Sequence, residues 1–382
     1  MRDYYLLLTG AYNNVGDFLI VDRAKKLLKK YRPDRDVFEV SRKTELDSDI
    51  LDRANNAQAV LITGGPALRK NIWPKMIRLS DDLARIKSPI LMYGVGWKNR
   101  NNSWREASAF RFSDGTRRLL KKIDDSGYPS SLRDYTALAI CEWNGFRNFQ
   151  VTGCPGMYNE SGTPDSVTLP EKVGSILLSP GVSYLKDNAD YQGLLHIADK
   201  IGRYFPDVSI KAVFHHSINS EILSTEYGPG SPHVKYHDKT LKLIEGFRQR
   251  GVETFDVSSD LELFTKVYRE ADAHIGYRVH GHIYTISAGK PSVLISEDSR
   301  GMGFKQIIGG PIIDASKSSL PENRIGRLSA RFLKENDNSA LLKAAAYMLY
   351  TELSGKSVHT AVSLEAIRLW EAHMKRFLMS LP

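Results

Sequence analysis

Short apolar runs that read as buried strands alternate along this chain with segments of helical period, and the alternation comes in two series. The first has strands at residues 4–9, 59–63, 89–94 and 149–152; Ile20, Ala24, Leu27, Leu28 and Tyr31 recur at helical spacing after the first strand, and Pro33 stops that helix. The second has strands at 175–179, 208–214, 253–257, 273–277 and 292–296, separated by helices near 191–204, 240–250 and 261–270. Apolar strands separated by helices predict parallel βαβ units. Between the series, residues 154–172 hold Gly156, Gly162, Pro164 and Pro170 with little periodicity, which predicts a linker. A length of 382 residues is enough for two cores. The expected fold is α/β, with two Rossmann-like domains facing a central cleft (GT-B-like). An N-terminal domain spans 1–165, a second 166–335, and a helical segment over 336–382 packs back across both.

Composition removes several function classes. With 42% hydrophobic and 25% charged residues the chain is globular, not disordered, and no apolar run reaches the length that spans a bilayer. Its start lacks a cleavage signature, so a cytoplasmic location is expected, with peripheral association at the anionic inner face of a membrane left open by the charge. Two cysteines, Cys141 and Cys154, are too few for a disulfide framework or a four-cysteine zinc site and read as structural. The net charge of +9 favours anionic partners, yet the basic residues are dispersed. The densest cluster, Lys25-Lys26 with Lys29-Lys30, reads as a solvated helix face, and no nucleic-acid partner is expected.

Ligands of such sheets bind beyond the carboxyl ends of the strands, so the loops there carry the functional reading. The first, Thr9-Gly10-Ala11-Tyr12-Asn13-Asn14-Val15-Gly16-Asp17, leads from a strand into a helix whose first amides can meet an anion. It is neither a P-loop nor a dinucleotide fingerprint, and Asn14 and Asp17 can equally form the turn and cap the helix. Gly64-Gly65 and Gly94-Val95-Gly96 follow the next strands and suit a cleft floor on the acceptor side. Arg133, in Ser131-Leu132-Arg133-Asp134, can clamp a carboxylate or phosphate, or pair with a neighbouring acid. The densest constellation is Arg278-Val279-His280-Gly281-His282, entered from a strand and leading to Gly289-Lys290-Pro291. Arg278 and His280 fall at the first turn of a helix, where cation and dipole converge on one anion; His282 points to nearly the opposite face. Joining His280 and His282 to His215-His216 gives no recognised zinc spacing, so no metal is expected.

The order and spacing of these pieces resemble the polysaccharide pyruvyl transferase family: Asn14-Val15-Gly16-Asp17, Gly64-Gly65, Gly94-Val95-Gly96, Leu132-Arg133-Asp134 and above all Arg278-Val279-His280 with Gly289-Lys290-Pro291. The resemblance spans roughly residues 5 to 300. It implies a two-Rossmann fold like the GT-B glycosyltransferases and transfer of a pyruvyl group from phosphoenolpyruvate onto two sugar hydroxyls, forming a ketal. The family's Arg-x-His, implicated in donor binding and catalysis, falls on Arg278 and His280. The chain departs from the pattern at Gly65-Pro66, where a third glycine is common, and at Glu297-Asp298-Ser299-Arg300, where many members have aspartate followed by lysine.

The chemistry of such a donor suits these residues. Phosphoenolpyruvate carries a phosphate and a carboxylate, for which Arg278, Arg133, His282 and Arg300 (with Lys305 as an alternative) are the donor-binding candidates. Ketal formation requires a proton at the methylene carbon. His280 is the candidate general acid, protonated near neutral pH when an adjacent dianion offsets the helix-end potential. Asp17 is the acceptor-side base or a cap, and Asn14, Gly16, Gly64, Gly65 and Gly96 form the acceptor-side loops. No cofactor is expected, phosphoenolpyruvate being a co-substrate; the other partner is a sugar, free or lipid-linked. A GT-B glycosyltransferase using a sugar nucleotide, or a non-catalytic sugar-binding protein of polysaccharide assembly, fits the same fold.

Overall fold

Strand β1 (Tyr4–Thr9) is buried along its whole length and pairs in parallel with β2 (Asp36–Ser41) on one side and β3 (Ala59–Thr63) on the other. With β4 (Ile90–Tyr93) they form a sheet of order β2-β1-β3-β4. A second parallel pair, β5 (Ser130–Leu132) and β6 (Phe149–Val151), continues it through a bridge between Val95 and Leu132. The structure, a computed structural model, describes residues 3–10, 14–44, 48–99, 103–185, 188–228, 230–315 and 339–382.

The other sheet contains β7 (Ser175–Ser179), β8 (Ser209–Phe214), β9 (Glu253–Asp256), β10 (Ala273–Gly276), β11 (Ser292–Ser296) and β12 (Ile312–Asp314), in the order β12-β11-β10-β7-β8-β9. Counted from its own first strand this is the dinucleotide-fold order 3-2-1-4-5-6, whose direction reverses between β7 and β10; in the first sheet the reversal lies between β1 and β3. The two sheets place those ends against each other, giving two Rossmann-like halves around one cleft.

Three strands escaped the sequence pattern for different reasons. β2 is an edge strand with exposed Asp36 and Glu39. β5 is polar, yet buried, because Ser130 Oγ accepts from the Met92 amide at 2.9 Å and Ser131 Oγ from the Gly94 amide at 3.0 Å. β12 has only three residues.

One apolar cluster runs through both halves. It joins Tyr5, Leu7, Ile20 and Tyr93 to Ile283, Ile286, Leu294 and Phe304, and is closed by Ile367, Met374 and Phe377 of the helix His359–Met379. That helix is pinned at its end, where Tyr5 Oη donates to the Pro382 carbonyl at 2.8 Å, and Trp370 Nε1 donates to Ile307 O at 2.7 Å. The helix Ser339–Leu353 packs instead on the second half, against the helix Asn188–Tyr204, β10 and β11. The segment expected as a linker is not loose: Cys154, Met157 and Tyr158 are buried in the shared cluster. Both cysteines are buried free thiols, held well above their usual range by burial. The expected boundary at 335/336 lies outside the described residues. Among the described residues no helix is long and apolar enough to cross a membrane.

Candidate active site

The second-sheet wall begins where β7 and β10 diverge. Gly276 lies so close to β7 that a Cβ there would sit 2.4 Å from the Ser179 carbonyl. The chain then turns, and the Arg278 amide donates to Ser179 Oγ at 3.1 Å. Arg278 is the N-cap of the helix Val279–Ser287, but its side chain makes no capping bond. Instead Nη2 donates to the Gly181 carbonyl at 3.0 Å, and the buried Nε has no hydrogen-bond partner among the described residues. A buried guanidinium nitrogen without an acceptor is costly unless a ligand supplies one.

The Gly181 loop is itself held by Glu297. Its carboxylate accepts from the Val182 amide at 3.0 Å and the Ser183 amide at 2.9 Å, and a side chain at Gly181 would collide with Oε1 at 2.1 Å. Glu297 thus fixes the loop whose carbonyl orients Arg278.

His280 stands two residues on and is half-buried. Its ring rests on Gly16, in the first turn of the helix Val15–Tyr31, and its Cδ2 faces Gly156. Burial, then Arg300, Arg133 and Arg278, push its pKa down to about 3. In this ligand-free state the imidazole is neutral at pH 7, so the expected general acid acquires its proton only with a bound anion. More than the helix-end potential opposes it; three guanidinium groups do.

On the first-sheet wall Asn14 is the N-cap, its Oδ1 accepting from the Gly16 amide at 3.2 Å. Asp17 is therefore not the cap. It is buried, accepts from Asn14 Nδ2 at 3.4 Å and faces Gly10 and Gly65. Gly64 and Gly65 turn the chain with φ of +51° and +68°, values that disfavour any side chain.

Two of the expected donor ligands lie elsewhere. His282 is fully buried behind the wall: Nδ1 bonds Ser292 Oγ at 2.8 Å, Ser292 Oγ bonds His274 Nδ1 at 2.9 Å, and His274 Nε2 bonds Ser179 Oγ at 2.7 Å. Two residues along a helix turn it to the opposite face, into the core. Arg133 took the structural alternative: Nε pairs with Asp134 at 3.0 Å, Nη2 donates to the Trp97 carbonyl at 3.1 Å, and the guanidinium packs flat against Gly96 and over Phe304. Arg133 still lies near enough to lower the His280 pKa. Gly96 consequently makes room for Arg133 rather than for a sugar.

Arg300, in the first turn of the helix Ser299–Ile308, is held by Asp298 through Nε at 2.9 Å and Nη2 at 2.8 Å, and keeps 28% of its side chain exposed. Lys305 stands exposed in the last turn of that helix. The seam is tied at this point, because Ser299 Oγ accepts from the Asn99 amide at 2.8 Å and the Asn99 carbonyl accepts from the Ser299 amide at 3.2 Å. Sequence reading missed Arg42, Arg69 and Lys98, which follow β2, β3 and β4. Their signal was the recurrence of a cation within six residues of each strand end; the ends of β3 and β4 were readable, but β2, and with it the place of Arg42, was not.

Three helix N-termini, those of Val15–Tyr31, Val279–Ser287 and Ser299–Ile308, thus meet with arginines at the junction of two Rossmann-like halves. This defines a GT-B-like α/β protein whose cleft is lined by helix N-termini and arginines. Residues 14–299 match the polysaccharide pyruvyl transferase family model, and the chain belongs to that family. No curated protein matches the sequence. Among solved structures, the wall teichoic acid polymerase TagF is 11% identical, with a TM-score of 0.40 over 98% of this chain and 90% of that one. The S. aureus MnaA–UDP complex is 10% identical, with a TM-score of 0.46 over 96% and 94%. The Methanocaldococcus jannaschii UDP-GlcNAc 2-epimerase with UDP-GlcNAc and UDP is 11% identical, with a TM-score of 0.46 over 91% and 100%. Likenesses this distant say nothing about the reaction.

Proposed function

We propose that the protein transfers the pyruvyl group of phosphoenolpyruvate to two hydroxyls of a sugar belonging to a polysaccharide or its precursor, giving a pyruvate ketal and inorganic phosphate. The observation that carries this reading is the contact of His280, two residues beyond Arg278, with Gly16, the neighbour of Asp17, across the cleft. Arg278, with its unpartnered Nε, and the exposed part of Arg300 receive the donor's phosphate and carboxylate. Their binding brings negative charge beside His280 and raises its pKa from the depressed ligand-free value.

His280 then delivers a proton to the methylene carbon, which becomes the methyl group, while the developing positive charge on the adjacent carbon is attacked by the first hydroxyl. The bond to phosphate breaks, the second hydroxyl closes the ring, and the hydroxyl protons are passed on. One replaces the proton His280 gave and the other leaves on phosphate. Asp17, opposite, accepts a hydroxyl proton.

Incubation with phosphoenolpyruvate and a panel of galactosides, mannosides and N-acetylhexosamines tests the reading. Phosphate release with a product heavier by one pyruvic acid less one water is expected. Thermal protection by nucleotide sugars and none by phosphoenolpyruvate would overturn it.

A further inference from the structure

Arg42, Arg69 and Lys98 stand on the first-sheet wall, and no ion pair with a carboxylate forms at any of them among the described residues. Each follows a different strand: Arg42 comes directly after β2, Arg69 after β3 and Lys98 after β4. Backbone bonds hold these loops together, since the Leu68 amide donates to Gly96 O at 3.1 Å, the Gly96 amide to Gly65 O at 3.0 Å, and the Arg78 amide to Arg42 O at 3.1 Å. Arg42 Nη1 and Asp17 Oδ1 flank the same point above Gly65, at 3.7 and 3.5 Å from where its Cβ would lie. Arg69 is oriented by Nε donating to Pro66 O at 3.0 Å. Lys98 adjoins Asn99, whose backbone is bonded to Ser299 beside Arg300.

The result is a row of cations running from Arg42, beside the carboxylate proposed to meet the acceptor, through Arg69 to Lys98. We propose that Arg42, Arg69 and Lys98 form a second anion site, distinct from the donor site at Arg278, which holds the phosphate or diphosphate on which the acceptor sugar is carried. The word acceptor rests on the pyruvyl-transfer reading; the anion site does not. The local charge agrees. Lys98 and Arg69 are both exposed, yet desolvation by the surrounding protein and then Arg300 pull the Lys98 ammonium down to about 8, and desolvation followed by Arg42 and Arg300 lowers Arg69. A multiply charged anion relieves this crowding, whereas a neutral sugar gives three cations nothing to bind.

Calorimetry on the full chain tests it with phosphoenolpyruvate and pyrophosphate as probes. Pyrophosphate is expected to bind the phosphoenolpyruvate-loaded protein. Arg69→Gln and Lys98→Gln should each weaken it roughly ten- to a hundredfold, the loss of one charge-assisted contact, while phosphoenolpyruvate affinity changes less than about twofold. Both side chains reach solvent, so the variants should keep the wild-type melting temperature. Pyrophosphate that only competes with phosphoenolpyruvate, or that is weakened by Arg278→Ala and untouched by Arg69→Gln, would assign these cations to the donor and end the proposal. Pyrophosphate binding without any phosphoenolpyruvate binding would instead leave the row standing and remove the pyruvyl reading. UDP and farnesyl diphosphate separate the carriers. Tighter binding of UDP than of pyrophosphate points to a nucleotide carrier, tighter farnesyl diphosphate to a lipid carrier, and equal binding of all three to recognition that ends at the phosphates.

Discussion

The imidazole of His280 rests on the backbone of Gly16, so closely that a side chain on that glycine would begin 2.1 Å from Nδ1. The contact joins the first turn of a helix in one half to the first turn of a helix in the other. It holds the ring at the bottom of the seam.

Gly16→Ala is therefore expected to push His280 out of place. The helical backbone tolerates alanine, so the cost is overpacking of about 1–3 kcal/mol, and turnover should fall at least tenfold beyond what the loss of folded protein explains. Melting temperature and turnover measured on one preparation check it; full turnover would show that the contact does not position the ring.

Arg278→Ala should weaken phosphoenolpyruvate roughly ten- to a hundredfold, since each charge-assisted hydrogen bond to a partly buried anion is worth about 1.5–3 kcal/mol. Arg278→Lys should not restore it fully, because a compact ammonium cannot reproduce the planar fork that reaches Gly181 O from Nη2 and leaves Nε for the ligand. Glu297→Gln keeps the shape but removes the charge that Val182 and Ser183 donate to, so donor affinity should fall by roughly threefold to tenfold with kcat retained. Titration calorimetry and a kcat against KM comparison read both effects.

His280→Gln should keep the fold and most donor affinity while lowering turnover roughly 10²- to 10⁴-fold. Because the ring has a pKa of about 3 without ligand and an anion raises it, wild-type protein should take up protons on binding phosphoenolpyruvate near neutral pH. Calorimetry in buffers of different ionisation enthalpy should show that uptake shrink in the variant. His282→Gln should behave oppositely, losing about 1–3 kcal/mol of stability through the broken bond to Ser292 with turnover per folded molecule unchanged.

Stability should drop sharply on mild acidification. Burial is the largest cause that holds His215, His216 and His274 well below the usual imidazole range, His233 near 4, and His280 and His282 near 3. Between about pH 4 and 6.5 the unfolded chain binds protons that the folded protein refuses, so stability rises with pH in that window and is lost as pH falls. Each fully shifted group contributes about 1.4 kcal/mol per pH unit. Melting temperatures from pH 8 to 5 should be level above 7 and fall steeply below 6.5; a flat profile down to 5 would contradict the buried neutral state of these rings.

Strands that are apolar up to a closing threonine, such as β1 and β3, were legible with their limits, because both faces of a parallel sheet are covered and the run between must be apolar. β2 and β5 were not: an edge needs no continuous apolar run, and a buried serine strand is tolerated only where neighbouring amides use the hydroxyls. The Arg278-Val279-His280 elbow was also readable, since a strand-to-helix turn fixes backbone, dipole and side chains within a few residues of chain. Local sequence thus determined two series of parallel βαβ units and the first turn on each wall. Tertiary structure alone decided which side chains share a space: that His282 turns into the core while His280 reaches Gly16, that Arg133 is spent on Asp134, and that Arg42 and Arg69 gather near Asp17 with Lys98 beside Arg69 and Arg300. These meetings depend on sheet order and on the packing of the two halves through one shared core, and neither is encoded in any short stretch of residues.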